Sequence, residues 1–377
     1  MKAIILLLVL TQISMAQPQA KPGTEAGSRT QKAQGDNEPT KEDLTSLPMG
    51  KGLPVLVRTG LYFQSITDFD DNLGLFTGTV DLRLRWDDSR LRYSEETTSR
   101  GFQEFREAQA EEKIKEIWVP GVALTNIKDN PSYQVNNLRI FPDGRVELLQ
   151  RTTAQFSVAT DASNFPFDKQ TLGVEIAVRR ETTAEASLVV LQEDLDFSHA
   201  AKDISIDGWT PGYVNVTRSS YQGWYGQFHS GLKVGLDVTR HYGRVVPIVF
   251  IPLLASLLIP LLAIWMNKPE GEAFQIDAFE LGNIIVGGLF AIIALNFTIN
   301  SAYKFIASGD NTVTRLFALN YVTLGVGLAI VVLLYRYNLP MRLGGRYIQE
   351  QLFNCLSWAV PLLAGGTALA IILVAAS

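Results

Sequence analysis

The chain has 377 residues, a formal charge of −5 and one cysteine, with 47% hydrophobic and 19% charged residues. A net negative chain without a basic patch disfavours a nucleic-acid partner. Cys355 alone excludes an intrachain disulfide, so an exported domain must hold by its core, which suits a bacterial secretory setting better than an animal one.

At the N-terminus, MKAIILLLVLTQISMA (1–16) joins a lysine and a short apolar run to the small-residue end Ser14-Met15-Ala16. The run is too short to cross a bilayer and reads as a cleaved signal peptide, an uncleaved anchor being the alternative. Residues 17–47 lack aromatics and β-branched runs and read as a disordered linker.

Residues 48–242 read as an all-β domain. VDLRLRW (80–86) alternates Val80, Leu82, Leu84 and Trp86 with Asp81, Arg83 and Arg85, giving one apolar and one polar face. ELLQRTTAQFSVA, TLGVEIAVRR, ASLVVLQ and SGLKVGLDVTR read as further strands. DDNLG (70–74), FPDGR (141–145) and FPFD (165–168) supply turn signals, and an antiparallel sandwich is the natural class. QEFREAQAEEKIKE (103–116) has helical composition and reads as a short solvated helix.

From residue 243 to 377 the chain turns apolar. Val245–Met266, Leu281–Tyr303, Leu316–Tyr335 and Leu352–Ala376 are each close to the ~20 residues a transmembrane helix needs. Arg336, Arg342 and Arg346, opposed by Glu350 alone, put the third-to-fourth connection in the cytoplasm. Four spans then leave the N-terminal domain and the C-terminus outside. Only the second span carries a patterned polar face: Glu280, Asn283, Gly287, Phe290, Ala294, Phe297 and Ser301 recur at spacings of three and four. One such helix cannot line water alone, but several copies around an axis can; tight packing through small residues is the other reading. No Gly-rich phosphate loop, metal-spaced His/Cys cluster or nucleophile elbow occurs, so no enzyme, cofactor or metal site is expected.

WDDSRL (86–91), IWVPGVALTN (117–126), FPDGRV (141–146) and FPFDKQTL (165–172), in that order and followed by four spans, resemble the pentameric ligand-gated ion channels, the Cys-loop receptor superfamily. The likeness covers about residues 50–376 and is strongest to bacterial members, including the proton-gated one. It implies an all-β immunoglobulin-like sandwich that binds ligand, followed by an all-α four-helix pore domain. It further implies a homopentamer, multi-pass in the plasma (inner) membrane among lipids, conducting inorganic ions on a small-molecule or proton signal. The two loop-closing cysteines of animal receptors fall at Val158 and Leu172, so that disulfide is absent here.

The resemblance distributes roles. Asp277 and Glu280 would form cytoplasmic carboxylate rings favouring cations, and Phe290 and Phe297 apolar constrictions. Phe165, Pro166, Phe167 and Asp168 would sit at the base of the sandwich against the membrane helices, the alternative being a corner of the sandwich core. Arg240, in the pre-membrane Arg240-His241-Tyr242, would face Asp168 and the Asp70/Asp71 turn; Arg244 could take that part or anchor at headgroups. The ligand pocket would draw on Thr125, Arg179, Tyr221, Trp224 and Tyr225, with Asp81 on the complementary strand. An arginine there repels quaternary ammonium, so an anionic or zwitterionic agonist fits Arg179 better, and protons alone remain open. The pore-helix histidine of proton-gated relatives corresponds to Ile292. A non-conducting four-span receptor, an anion-selective channel of the same fold and a transporter are the competing readings.

Overall fold

A computed structural model describes residues 44–376 apart from 96–99, 268, 271–272, 275 and 308. The signal-peptide segment and the linker up to residue 43 lie outside the described residues. Residues 44–47, assigned above to the linker, are instead held by the sandwich. The Trp118 N–H donates to the Leu44 carbonyl at 2.7 Å, and Arg90 donates to the Ser46 carbonyl at 2.9 Å.

Ten strands form two facing sheets. β1 (Val55–Asp70), β2 (Leu75–Asp87), β3 (Gln103–Arg106), β5 (Tyr133–Ile140), β6 (Arg145–Ser157) and β8 (Ala186–Val189) make six strands in the order β3-β5-β6-β2-β1-β8. β4 (Val122–Leu124), β7 (Lys169–Val178), β9 (Trp209–Gln222) and β10 (Phe228–Arg240) make four in the order β4-β7-β10-β9. The period-2 pattern is realised directly. Val80, Leu82, Leu84 and Trp86 of β2 are buried, and Phe63, Phe76 and Phe156 fill the space between the sheets.

One stretch departs from expectation. Gln103–Arg106 is strand β3, paired antiparallel with β5, and only Ala108–Glu116 is helical (α1). Its composition suits a helix, but the register places Glu104 opposite Arg139, which bonds it at 2.8 Å. Cross-strand pairing overrides a weak propensity.

A second short helix, α2 (Gln192–Phe197), is tied to the six-stranded sheet through Asp194, whose side chain is 1% exposed. Its carboxylate receives Arg58 at 3.1 Å, Arg83 at 3.1 Å and Arg85 at 2.6 Å. Burial opposes its charge, but the hydrogen bonds from Arg85 and Arg58 outweigh burial and hold the carboxyl below its ordinary range. This stability is present above the unfolded carboxyl value, about 3.9, and is lost as pH falls through the lower folded value. Asp194→Ala removes the buried acceptor of three guanidiniums, leaving Arg58 and Arg85 to the exposed Glu193 at 2.7 and 3.4 Å, and is expected to cost about 3 kcal/mol. Thermal unfolding of wild type and variant checks it; equal midpoints would refute the role.

Four helices follow: α3 (Tyr242–Trp265), α4 (Ala278–Ala302), α5 (Thr312–Ile330) and α6 (Leu339–Ala376). All four are long and apolar enough to cross a membrane. A wider π-type turn, Val331–Arg336, extends α5, and α6 starts earlier than the fourth expected span because a second helix joins it across Gly345 (φ 78°). The adjacent glycines of α4 serve different ends. A side chain at Gly288 would meet Ile259 Cγ2 at 2.9 Å, so this glycine lets α3 and α4 approach, whereas Gly287 faces open space. On the outer flank, Pro361 has no N–H for the Ser357 carbonyl, and the Trp265 indole N–H donates to that oxygen at 2.5 Å.

Candidate functional site

The stretch FPFD is where the sandwich meets the helices. Phe165 is fully buried and belongs to the apolar core of the helical bundle, its ring 5.2 Å from Tyr303 and 5.3 Å from Phe305. Phe167 packs on Tyr242 and Phe250 of α3 at 5.3 and 6.2 Å. Pro166, also buried, lies between them with a cis bond to Phe165. The apolar content of this turn thus covers helix ends.

The next residue carries the charge. Asp168 is 2% exposed and receives Arg240 Nε at 2.7 Å, a second Arg240 nitrogen at 3.1 Å and Gln170 Nε2 at 2.7 Å. The same guanidinium donates to Asp71 at 2.7 Å and lies 4.2 Å from the Trp209 ring and 5.0 Å from that of Phe165. Burial works against the arginine's charge, but the bonds and charges of Asp168 and Asp71 outweigh it and raise its pKa. Asp70 does not face Arg240: its Oδ1 accepts the N–H groups of Asn72 and Leu73 at 2.9 and 3.0 Å and so shapes the β1–β2 turn. From that turn Asn72 accepts the Phe305 N–H at 3.4 Å, a further tie to the α4–α5 connection. The Arg244 side chain lies outside the described residues.

The polar stripe of α4 sits on one side of the helix. Glu280, Asn283, Gly287, Phe290, Ala294, Phe297 and Ser301 are all exposed, with Phe290 at 67% and Phe297 at 76%. Leu281, Ile285, Gly288, Ile292 and Ile299 form the opposite, buried side against the neighbouring helices. Asp277, exposed at the helix start, caps it by accepting the Phe279 N–H at 3.2 Å. A single chain therefore leaves uncovered the face that carries the acids and the phenylalanines.

Thr125, Arg179, Tyr221, Trp224 and Tyr225 line one cleft of ≈ 990 Å³ beside the β9–β10 turn. Trp224 and Tyr225 are almost wholly exposed, and the Tyr221 hydroxyl donates to the Val178 carbonyl at 2.5 Å. Asp81 is not in this cleft: on β2 it is bonded to Arg151 at 2.7 Å, on the other sheet of the same chain.

A family profile described as "Neurotransmitter-gated ion-channel ligand binding domain" matches residues 43–242, more than half of the chain. The chain belongs to the neurotransmitter-gated ion channels. Among the proteins similar to it are a proton-gated ion channel of Gloeobacter violaceus, 26% identical over 66% of this chain, and a mouse gamma-aminobutyric acid receptor subunit theta, 27% identical over 61%. A Drosophila melanogaster glutamate-gated chloride channel is 22% identical over 57%. The matches span 64%, 35% and 46% of those relatives' own lengths, less than two thirds of each. This is a family of channels, not of enzymes, and its members are pentameric. With an extracellular ligand-binding domain and four bilayer-length helices, the chain is a multi-pass membrane protein.

Several residues of this chain escape sequence reasoning. Trp209 and Gln170 complete the Arg240 cluster, and Tyr303 and Phe305 form the receiving wall for Phe165. The pair Tyr303 and Phe305, at the outer end of an apolar span, was the available signal. Phe165→Ala is expected to destabilise the contact by about 3–5 kcal/mol, as large-to-small changes in cores do. Its measure is the unfolding midpoint of the detergent-solubilised chain, and an unchanged midpoint would count against the wall.

Proposed function

We propose that this chain is the subunit of a homopentameric, cation-selective ligand-gated channel of the plasma (inner) membrane, with its C-terminus extracytoplasmic. A small ligand in the Arg179 cleft, or protons, would open it. The observation that carries the reading is the exposed polar stripe of α4. In a bilayer, acids at a membrane edge are costly unless they face water or a partner. Copies arranged around an axis would give the Asp277 and Glu280 side chains that water. Five such stripes would place carboxylates at the cytoplasmic mouth and rings of Phe290 and Phe297 along the pore, able to close it by dewetting.

The Arg240 cluster supports the gating half of the proposal. It ties FPFD and the β1–β2 turn to the strand that runs into α3, so a change in the sandwich has a charged, hydrogen-bonded route to the helices. A second reading, an anion-selective channel, draws on the relative named as a chloride channel.

Two measurements test the proposal. Native mass determination in mild detergent is expected to give a pentamer; a stable monomer or dimer contradicts it. Single-channel recording of the purified protein in a planar bilayer is expected to show unitary currents reversing near the cation equilibrium potential. Silence under ligand and acid alike would favour a non-conducting receptor, and reversal at the chloride potential the anion channel.

A further inference from the structure

Halfway along α5 stand two adjacent polar residues, Asn320 and Tyr321, about 100° apart around the helix. Asn320 is 2% exposed and serves α3. Its Nδ2 donates to the Leu253 carbonyl at 3.3 Å and to the Leu316 carbonyl of its own helix at 3.0 Å, and its Oδ1 accepts the Ser256 hydroxyl at 3.0 Å. Tyr321 serves α4. Its hydroxyl accepts Asn296 Nδ2 at 3.2 Å, and Asn296 Oδ1 accepts Asn300 Nδ2 at 2.5 Å. One helix therefore holds both neighbours with consecutive residues.

The two halves of α4 are seated differently. In the first, a side chain at Gly288 would meet Ile259 at 2.9 Å and Leu324 at 3.4 Å, so shape alone fixes the contact there. In the second, Asn296 and Asn300 are half-buried. An amide inside a bilayer has no water to turn to, so a protein partner is its alternative to an unmet hydrogen bond. Thr298 donates to the Ala294 carbonyl of its own helix at 2.9 Å, and among the described residues no α4 side chain other than Asn296 bonds to a neighbouring helix. Phe297 of the exposed stripe follows directly. Any rotation that draws Asn296 away from Tyr321 swings Phe297 through the same angle.

From this geometry we infer that Tyr321 is a positioning residue for the pore: through Asn296 it fixes the rotation of α4 and so decides which residues meet the axis. The inference rests on the stripe lining the pore. Asn320 makes the platform firm, because it ties α5 to α3 from the side that Tyr321 does not use. With the bond in place, the Phe297 ring stays on the exposed side. Without it, part of the about 100° between successive residues is enough to trade that ring for the Thr298 hydroxyl, and an apolar constriction for one that water wets.

The test uses the full-length protein in liposomes, with Cys355→Ser removing the exposed native thiol. Single cysteines are introduced by Ala294→Cys in the stripe, by Ile293→Cys, exposed but outside it, and by Leu362→Cys on the outer side of α6. The readout is the rate of modification by a charged, membrane-impermeant methanethiosulfonate. The reactive thiolate forms in water, so Ala294→Cys is expected to react about tenfold faster than Ile293→Cys. Adding Tyr321→Phe, which removes only the hydroxyl, is expected to shrink that ratio about threefold to tenfold, the worth of one hydrogen bond between membrane helices. Asn296→Leu is expected to do the same, and the two together no more than either alone. Ser256→Ala removes a bond between α3 and α5 instead and is expected to leave the ratio unchanged, which separates positioning from a general loosening of the bundle. An unchanged ratio in a folded Tyr321→Phe or Asn296→Leu protein, or an equal change in Ser256→Ala, would overturn the inference and spare the pore. If Ala294→Cys reacts no faster than Leu362→Cys, the stripe does not face water, and the pore reading falls together with the inference.

Discussion

Replacing Arg240 with alanine is expected to abolish evoked current while the subunits still assemble. The guanidinium serves two carboxylates, Asp168 and Asp71, in a place where Asp168 is 2% and Arg240 7% exposed. Removing one partner of a buried ion pair leaves the other charge without compensation, which costs about 3–5 kcal/mol. Spread over a gating equilibrium, that is roughly a hundredfold to several thousandfold. The loss falls on the junction between sandwich and helices, where the side chain is enclosed by Trp209 of the sandwich core on one side and Phe165 and Phe305 of the helical bundle on the other. Arg240→Lys keeps the charge but not the fork that reaches both acids, so an intermediate loss is expected. Patch-clamp currents give the gating readout and size-exclusion profiles the assembly readout. If Arg240→Ala and Asp168→Ala combine additively in the double variant, the direct pair plays no part in gating.

Neutralising Glu280 is expected to remove most of the preference for cations. At about 4 Å a unit charge in water is worth about 1 kcal/mol. Five carboxylates around a narrow mouth would then supply a few kcal/mol, more than tenfold in ion partition. Glu280→Gln changes the charge at nearly constant shape, so a shift in reversal potential reports electrostatics and not pore width. Glu280→Lys is expected to block cations or silence the channel. The measurement is the reversal potential under a salt gradient for wild type and both variants. A wild-type reversal at the chloride potential would sink the assignment. An unmoved potential in Glu280→Gln would transfer the filter to Asp277, which lies nearly one turn nearer the cytoplasm and also caps the helix.

Much of this was legible because periodicity survives folding. The alternation in VDLRLRW became the buried and outward sides of β2, and the three-and-four spacing from Glu280 to Ser301 became one exposed side of α4. What stayed hidden depended on contacts between distant parts of the chain. Asp70 and Asp71 are adjacent acids in one turn, and only the turn's own hydrogen bonds decide that Asp70 shapes it while Asp71 meets Arg240. Gly287 and Gly288 look alike until Ile259 arrives against one of them. The stretch QEFR passed for helix because its strand partner, β5, lies some thirty residues on, beyond the reach of local propensity. Asp194 gathers arginines from two strands more than a hundred residues earlier, a convergence no local window contains.

The bond from Trp265 to the Ser357 carbonyl fixes the height of α6 beside α3. A helix advances about 1.5 Å per residue, so a slip of a single residue would carry the oxygen past the indole. The indole and the carbonyl would then each lose this partner, which penalises vertical sliding more than rocking or swinging. When the surrounding bilayer thins or thickens, α6 cannot simply ride up or down as a passive float. It must tilt, and through the indole it drags the cytoplasmic end of α3 with it, giving lipid thickness a mechanical grip on the bundle.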